Sequence, residues 1–228
     1  MVILPLTREA QSTIGSDAAP ASKGRYGCKG LQPAPFRVIL LPGSVLPADL
    51  AYGSLVSALG ADADAVAKEL EVYATAEAPA DYTLELEVAG VLREADERGW
   101  ETFHLVGYSG GGAAVLALAA RHPERLSSLA LLEPAWAGDW DQSAAEQAIW
   151  REYDRLESLP PDQVMRGFMQ LQVKPGVELP APPPGDPPPW MARRPAGIRR
   201  SCGRSGRTSS TAMRCRASID PSTSRSAG

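Results

Sequence analysis

A serine flanked by glycines, set between two apolar segments, limits most strongly what this chain can fold into. Residues 102–106 have the composition of a buried strand, and residues 113–120 have that of an alanine- and leucine-rich helix. The turn at residues 107–111 reads Gly-Tyr-Ser-Gly-Gly, a G-x-S-x-G pattern. A bulky side chain at Gly107 or Gly111 would clash in so sharp a turn. The pattern predicts a nucleophile elbow, with the Ser109 hydroxyl exposed at the carboxyl end of the strand.

Two phosphate-binding loops share this glycine-rich context, but neither fits the residues. A Walker-type loop ends in Gly-Lys-Ser or Gly-Lys-Thr, and no lysine follows here. A dinucleotide-binding turn needs G-x-G-x-x-G, whereas Tyr108 and Ser109 separate the first two glycines. The remaining alternative is an ordinary turn with an inert serine. The strand–turn–helix context favours the elbow, and the helix N-terminus adds partial positive charge where an oxyanion would develop.

A second apolar run, residues 36–41, ends in Pro42, Gly43 and Ser44. With these two motifs the chain resembles the α/β-hydrolase family, in its branch of small, lid-bearing serine hydrolases, over about residues 38–136. The resemblance implies an oxyanion hole made by the backbone N–H groups of Ser44 and Gly110. The family's oxyanion loop usually begins His-Gly, and here Pro42 takes the place of the histidine.

Alternating strand and helix patterns predict an α/β fold with a doubly wound, mostly parallel sheet. The resemblance implies that this is an incomplete α/β-hydrolase fold with a helical lid, and the composition after residue 190 predicts a disordered basic tail. The patterns predict helices over residues 48–59 and 82–98, the second capped by Asp81, and strands over residues 65–73 and 126–132. In such a sheet the site lies at the carboxyl ends of the strands.

The chain divides into four predicted segments. They are a flexible extension (1–35), a hydrolase core (36–137), a helical lid with a proline-rich linker (138–190) and a disordered tail rich in arginine and serine (191–228). Aromatic and methionine side chains of the lid region would either line an apolar substrate pocket or pack the lid onto the body. These residues are Trp136, Trp140, Met165, Phe168 and Met169.

Glu133 follows the apolar run 126–132 and is a candidate for the catalytic acid. The resemblance makes this strand end one of two positions where the acid of a triad stands. The alternative is a solvated glutamate that opens a loop. Asp139 and Asp141 are further candidates for the same role.

A serine nucleophile needs a general base within hydrogen-bonding reach, nearly always a histidine. The chain has two histidines. His104 lies inside the strand that leads to the elbow, and His122 lies at the far end of the following helix. Neither is expected to reach Ser109, and the late histidine that the resemblance implies is missing. We therefore expect weak or no turnover.

The last segment differs sharply in charge from the rest. Residues 191–228 carry nine arginines and one acidic residue, whereas the whole chain has a net charge of −4. Three explanations remain open: an arginine-rich surface for nucleic acid or another acidic partner, a disordered solubilising extension, or wrong-frame translation of a coding region. We favour the third, because the change falls where the sheet still lacks its last strands.

Composition and motifs restrict the remaining function classes. The net charge gives no general reason to expect a nucleic-acid partner, and no cofactor motif or metal-ligand cluster is recognised. Three cysteines, at positions 28, 202 and 215, do not form a disulfide framework. No signal sequence or membrane span is recognised, so the cytoplasm is the expected location. The sequence predicts a hydrolase acting on a small ester, thioester or amide with an apolar portion. The alternatives are a non-catalytic binding protein of the same fold and a fragment without function.

Overall fold

A five-stranded sheet lies at the centre of the chain, in the order β1-β5-β4-β2-β3. The computed structural model describes residues 2–5, 35–135, 143–182 and 184–202. The strands are β1 (Val2–Pro5), β2 (Phe36–Leu41), β3 (Ala63–Ala67), β4 (Phe103–Tyr108) and β5 (Leu126–Leu132). Strands β2 to β5 pair in parallel, and β1 pairs antiparallel with the outer edge of β5. The predicted α/β class with a mostly parallel sheet is confirmed.

Helices cover the sheet on both faces. They are α1 (Ala48–Leu59), α2 (Glu71–Ala74), α3 (Leu84–Glu97), α4 (Gly110–Arg121), α5 (Ala144–Arg155), α6 (Pro161–Leu171) and α7 (Arg194–Cys202). Along β2 the side chains of Ile39 and Leu41 join the main core with α3 and α4. Their neighbours Val38 and Leu40 point to the opposite face and are also buried. A strand buried on both faces needs a continuous apolar run, which β2 has.

The segment after β3 differs from its prediction. The sequence predicts one strand over residues 65–73, but the structure ends β3 at Ala67 and forms the one-turn helix α2 from Glu71. A distant carboxylate causes the difference, since Glu87 of α3 accepts hydrogen bonds from the N–H groups of Glu71 and Val72. Local propensity cannot reveal a bond between residues so far apart in the chain.

The other helix and strand predictions mostly hold. Helix 48–59 and strand 126–132 are confirmed with the same bounds. Helix α3 begins at Leu84, two residues later than predicted, and its N-cap is Thr83 without a side-chain cap. The prediction that Asp81 caps this helix is therefore wrong.

The predicted lid region forms α5 and α6, which pack around a small second core with α7. Its buried members are Leu156, Val164, Phe168 and Ile198, and Met165 and Met169 pack against them. Of the two predicted roles, lining a pocket or packing the lid, these two methionines therefore have the packing role. Trp136, Trp140, Asp139 and Asp141 lie outside the described residues.

The beginning of the predicted tail is helical. Helix α7 continues to Cys202, although the sequence predicts a disordered segment from Met191. Arg194 is only 2% exposed; it pairs with Glu69 at 2.7 Å and lies 4.2 Å above the Tyr73 ring. A Cβ at Gly197 would lie 2.0 Å from that ring, so the helix and ring are in close contact. These partners lie more than 100 residues away in sequence, and for this reason the sequence pattern gives no sign of the helix.

The N-terminal segment also differs in part from its prediction. The first segment, predicted as a flexible extension, contributes β1, whose residues Val2 to Pro5 pair with Leu131 to Ser128. Residues 6–34, with Cys28, and residues 203–228, with Cys215, lie outside the described parts of the chain.

Candidate active site

The backbone at Ser109 has the strained geometry of an elbow. Strand β4 ends at Tyr108, α4 begins at Gly110, and Ser109 between them has φ 49° and ψ −114°. A positive φ is unfavourable for a residue with a side chain and needs support from its surroundings. Ser109 N–H donates to the carbonyl of Leu132 at 3.0 Å, and Ala135 N–H donates to the carbonyl of Ser109 at 2.9 Å. The end of β5 and the loop that follows it therefore hold the bend from both sides.

Close backbone contacts explain the glycines around the serine. A Cβ at Gly107 would lie 2.5 Å from the carbonyl oxygen of Gly111. A Cβ at Gly111 would lie 2.6 Å from the carbonyl oxygens of both Leu41 and Pro42. These distances confirm the clash that the motif predicts at both positions.

The carboxyl ends of β2 and β4 bring Ser44 and Gly110 together beside Ser109. Ser44 is 5% exposed. From a Cβ placed on Gly110, the Ser44 Oγ is 3.1 Å away and its backbone nitrogen 4.0 Å away. A Cβ on Gly43 would lie 3.2 Å from the Ser109 Cβ. The arrangement has the proximity that two oxyanion donors need, and their catalytic role stays a prediction.

A cavity of about 360 Å³ opens in front of Ser109. Ser44, Gly110 and Glu133 also line it. Its other walls are largely apolar and come from α5, α6, the first residue of α3 and the segments before α2 and α3. They include Leu70, Tyr82, Leu84, Ile149, Trp150, Tyr153 and Phe168. Ser201 and Cys202 of α7 complete the lining. Apolar walls with a few polar groups are typical of small-molecule sites.

Glu133 lies in the wall of this cavity, directly after β5. It is exposed and has a φ of 44°. The structure therefore brings the candidate acid into the same cavity as the candidate nucleophile. Whether Glu133 acts as an acid stays a prediction.

Neither histidine lines the cavity. His104 lies five residues before Ser109 in the chain, a distance of about 16 Å along a strand, and its Nδ1 is 2.7 Å from the Ser128 Oγ. His122 follows α4, about 19 Å along the helix from Ser109, and its Nδ1 is 3.4 Å from a Glu124 carboxylate oxygen. Neither histidine is therefore placed to act as the base that would activate the serine.

Glu87, Tyr82 and Leu70 lie in or beside the cavity wall, and the sequence patterns did not single them out. Glu87 is 2% exposed, although it is an acid, and it holds the first turn of α2. A signal was present: Glu87 falls on the same helical face as the apolar residues Leu84, Val88 and Val91. An acid on an apolar face indicates a buried, hydrogen-bonded carboxylate.

The stability of the protein should depend on pH through Glu87. Burial raises the pKa of its carboxyl above 4.5, and this outweighs the hydrogen bonds from Glu71 and Val72, which lower the pKa. A raised pKa in the folded state means that the stabilisation is complete below pH 4.5 and is lost as the pH rises through the folded-state pKa. We expect the free energy of unfolding of the unmodified protein to rise relative to that of Glu87→Gln as the pH falls from 7 to 4.5. Urea unfolding of both proteins across this range measures the difference, and parallel curves would contradict the prediction.

Neither a metal cluster nor a membrane-crossing helix is found in the described parts of the chain. No group of three or more His, Cys, Asp or Glu side chains there could hold a metal ion. None of the described helices is long and apolar enough to span a bilayer.

A comparison with family models agrees with the fold. Residues 81–199, more than half of the 228-residue chain, match the family model described as alpha/beta hydrolase fold. This chain belongs to the α/β-hydrolase family. The family match runs from the residues before α3 through the elbow to α7, and therefore includes the first residues of the predicted tail.

This α/β-hydrolase chain is also similar to solved structures. A membrane phospholipase A, titled a bacterial virulence factor, is 23% identical with a TM-score of 0.48, over 73% of this chain and 53% of that one. The carboxylesterase CesB from Bacillus subtilis is 20% identical with a TM-score of 0.42, over 73% of this chain and 54% of that one. The chain thus spans about half the length of these two structures. No curated protein matches the sequence.

Proposed function

We propose that this chain carries the acylation site of a serine hydrolase for a small ester, thioester or amide with an apolar portion. The observation that carries the proposal is the strained backbone of Ser109, which faces a largely apolar cavity beside Ser44 and Gly110. In the proposed reaction the Ser109 Oγ attacks the substrate carbonyl carbon. The oxyanion that forms accepts hydrogen bonds from the N–H groups of Ser44 and Gly110. The bond to the leaving group then breaks, and the leaving group takes up a proton.

The position of the histidines supports an impaired reaction. With no histidine in the cavity lining, no imidazole of this chain is placed to take the proton of the Ser109 hydroxyl. Loss of a triad base lowers turnover on the order of a million-fold relative to a complete triad. Glu133, as the candidate acid, has no histidine to orient. We therefore propose that residual acylation depends on Ser109, the oxyanion donors and binding in the cavity.

A fluorophosphonate probe with added imidazole tests the proposal. The probe's phosphorus is attacked by the serine oxygen and fluoride leaves, while imidazole in solution takes the hydroxyl proton. We expect slow labelling at Ser109 that rises with imidazole concentration. Mass spectrometry of peptic fragments gives the site and rate.

Two variants complete this test. Ser109→Ala should remove all labelling, whereas Ser54→Ala, at an exposed position of α1 and outside the cavity lining, should label at the unmodified rate. No labelling of Ser109 even with imidazole would exclude the proposed nucleophile. Rapid labelling without imidazole would instead exclude the proposed impairment.

The same cavity without a histidine favours a second candidate function, the binding of a small apolar ligand without chemistry. A binding protein would take up an apolar fluorescent dye, and Ser109→Ala would leave that affinity unchanged. Imidazole-dependent labelling of Ser109 with turnover of an activated ester would decide for the hydrolase.

A further inference from the structure

We propose that Glu87 is a positioning residue that fixes two walls of the Ser109 cavity and thereby sets the size of the acyl group that the site accepts. The two walls are the turn that carries Leu70 and the segment that carries Tyr82. The inference rests on the proposed function, since it assigns substrate selection to the same cavity.

The first wall is held by two hydrogen bonds from the backbone of α2. Glu87 Oε2 accepts from Glu71 N–H at 2.8 Å, and Oε1 accepts from Val72 N–H at 3.1 Å. Helix α2 has four residues, and its N-cap Leu70 offers no side-chain hydrogen bond. So short a helix does not persist by itself, and its first N–H groups need acceptors. Glu87 supplies them from another helix.

Leu70 links the position of α2 to the space beside Ser109 and Gly110. It is 3% exposed and lines the cavity, and its Cδ1 lies 3.7 Å from a Cβ placed on Gly110. Because Leu70 directly precedes Glu71, a displacement of α2 shifts the Leu70 side chain within the cavity. The position of α2 therefore sets the space beside the proposed oxyanion donor.

Tyr82 forms the second wall. It is 8% exposed and lines the cavity, and burial together with the neighbouring Glu87 carboxylate raises the pKa of its hydroxyl. Glu87 thus holds the first wall by hydrogen bonds and lies beside the second.

The contacts at this position use both carboxyl oxygens of Glu87 as hydrogen-bond acceptors. Two backbone N–H groups donate to Glu87, one to each carboxyl oxygen, and the Tyr82 hydroxyl lies beside this carboxyl group. An ionised carboxylate only accepts hydrogen bonds, and both of its oxygens do so. A glutamine amide would place an NH₂ group against one of the donors and leave that donor unbonded. Glu87→Gln therefore disturbs the walls while it keeps the size of the side chain.

The experiment compares the labelling rates of short-chain and long-chain alkyl fluorophosphonates at Ser109, with imidazole present. Loss of one buried hydrogen bond of this kind corresponds to roughly a tenfold change in an equilibrium. We expect the ratio of the two rates in Glu87→Gln to move toward one by about that factor. Tyr82→Phe, which loses only the hydroxyl, should move the ratio in the same direction by less. Glu97→Gln, an exposed change at the end of the same helix, should leave the ratio unchanged.

Hydrogen exchange of the Glu71 and Val72 amides gives a second readout that does not depend on chemistry at Ser109. Both amides should exchange faster in Glu87→Gln and at the unmodified rate in Glu97→Gln. If Ser109 reacts but neither the rate ratio nor the exchange changes in Glu87→Gln, the assignment of Glu87 is overturned and the proposed function stands. If Ser109 reacts in none of these proteins while the Glu71 and Val72 amides exchange faster in Glu87→Gln, the proposed function fails. The positioning of α2 by Glu87 is then still supported.

Discussion

Replacement of Gly111 by alanine should destabilise the protein by about 3 kcal/mol and lower Ser109 labelling at least about 100-fold. The added Cβ would lie 2.6 Å from the carbonyl oxygens of Leu41 and Pro42, which are backbone atoms and cannot rotate away. Gly111 N–H also donates to the Pro42 carbonyl at 3.0 Å, so a displaced Gly111 weakens the contact between the elbow and the loop that carries Ser44. Urea unfolding and the fluorophosphonate assay measure the two effects.

The matched control is Gly53→Ala, a substitution of the same chemistry inside α1. A Cβ at Gly53 meets no atom within 4 Å. Alanine is the better helix former, so Gly53→Ala should stabilise the protein by roughly 0.5–1 kcal/mol and leave labelling unchanged. Equal effects of the two substitutions would contradict the close packing of the elbow.

Replacement of Glu69 by alanine should lower the free energy of unfolding by about 3 kcal/mol. The substitution leaves the guanidinium of Arg194, whose side chain is 2% exposed, without its carboxylate partner at 2.7 Å. It also removes the acceptor of the Leu70 N–H at 3.1 Å. Because Arg194 anchors α7, the exchange rates of the α7 amides should rise together with the loss of stability.

Glu152→Ala serves as the comparison for this prediction. Glu152 pairs with Arg155 at 2.6 Å, a similar distance, but these side chains are 44% and 71% exposed. A solvent-exposed pair of this kind contributes about 0–1 kcal/mol, so Glu152→Ala should have a small effect. A loss as small for Glu69→Ala would show that Arg194 reaches water and that α7 is not docked as described.

The local features of the fold could be predicted from the sequence because their causes lie in adjacent residues. The elbow is one such feature: Gly107, Ser109 and Gly111 lie within five positions, and the strand and helix around them follow from composition. Since parallel strands end at one edge of a sheet, the proximity of Ser44 to Gly110 follows from the same patterns.

The features that could not be predicted depend on partners distant in the chain. Helix α2 forms because Glu87 accepts its N–H groups from 15 and 16 residues away. Helix α7 docks because Arg194 meets Glu69 from 125 residues away, against Tyr73. A segment with arginines and few aliphatic residues has the composition of a disordered tail until such partners are known. The cavity walls that Ser201 and Cys202 contribute were missed for the same reason.

The backbone around Ser109 is hydrogen-bonded to its neighbours in three places: Ser109 N–H to the carbonyl of Leu132, Ala135 N–H to that of Ser109, and Gly111 N–H to that of Pro42. These bonds join the bend to the end of β5, to the loop after β5 and to the loop after β2, so the backbone of Ser109 cannot reorient unless those segments rearrange with it. The direction of the Ser109 Cα–Cβ bond is therefore set during folding rather than on arrival of a reactant, which is the preorganisation that the proposed reaction needs.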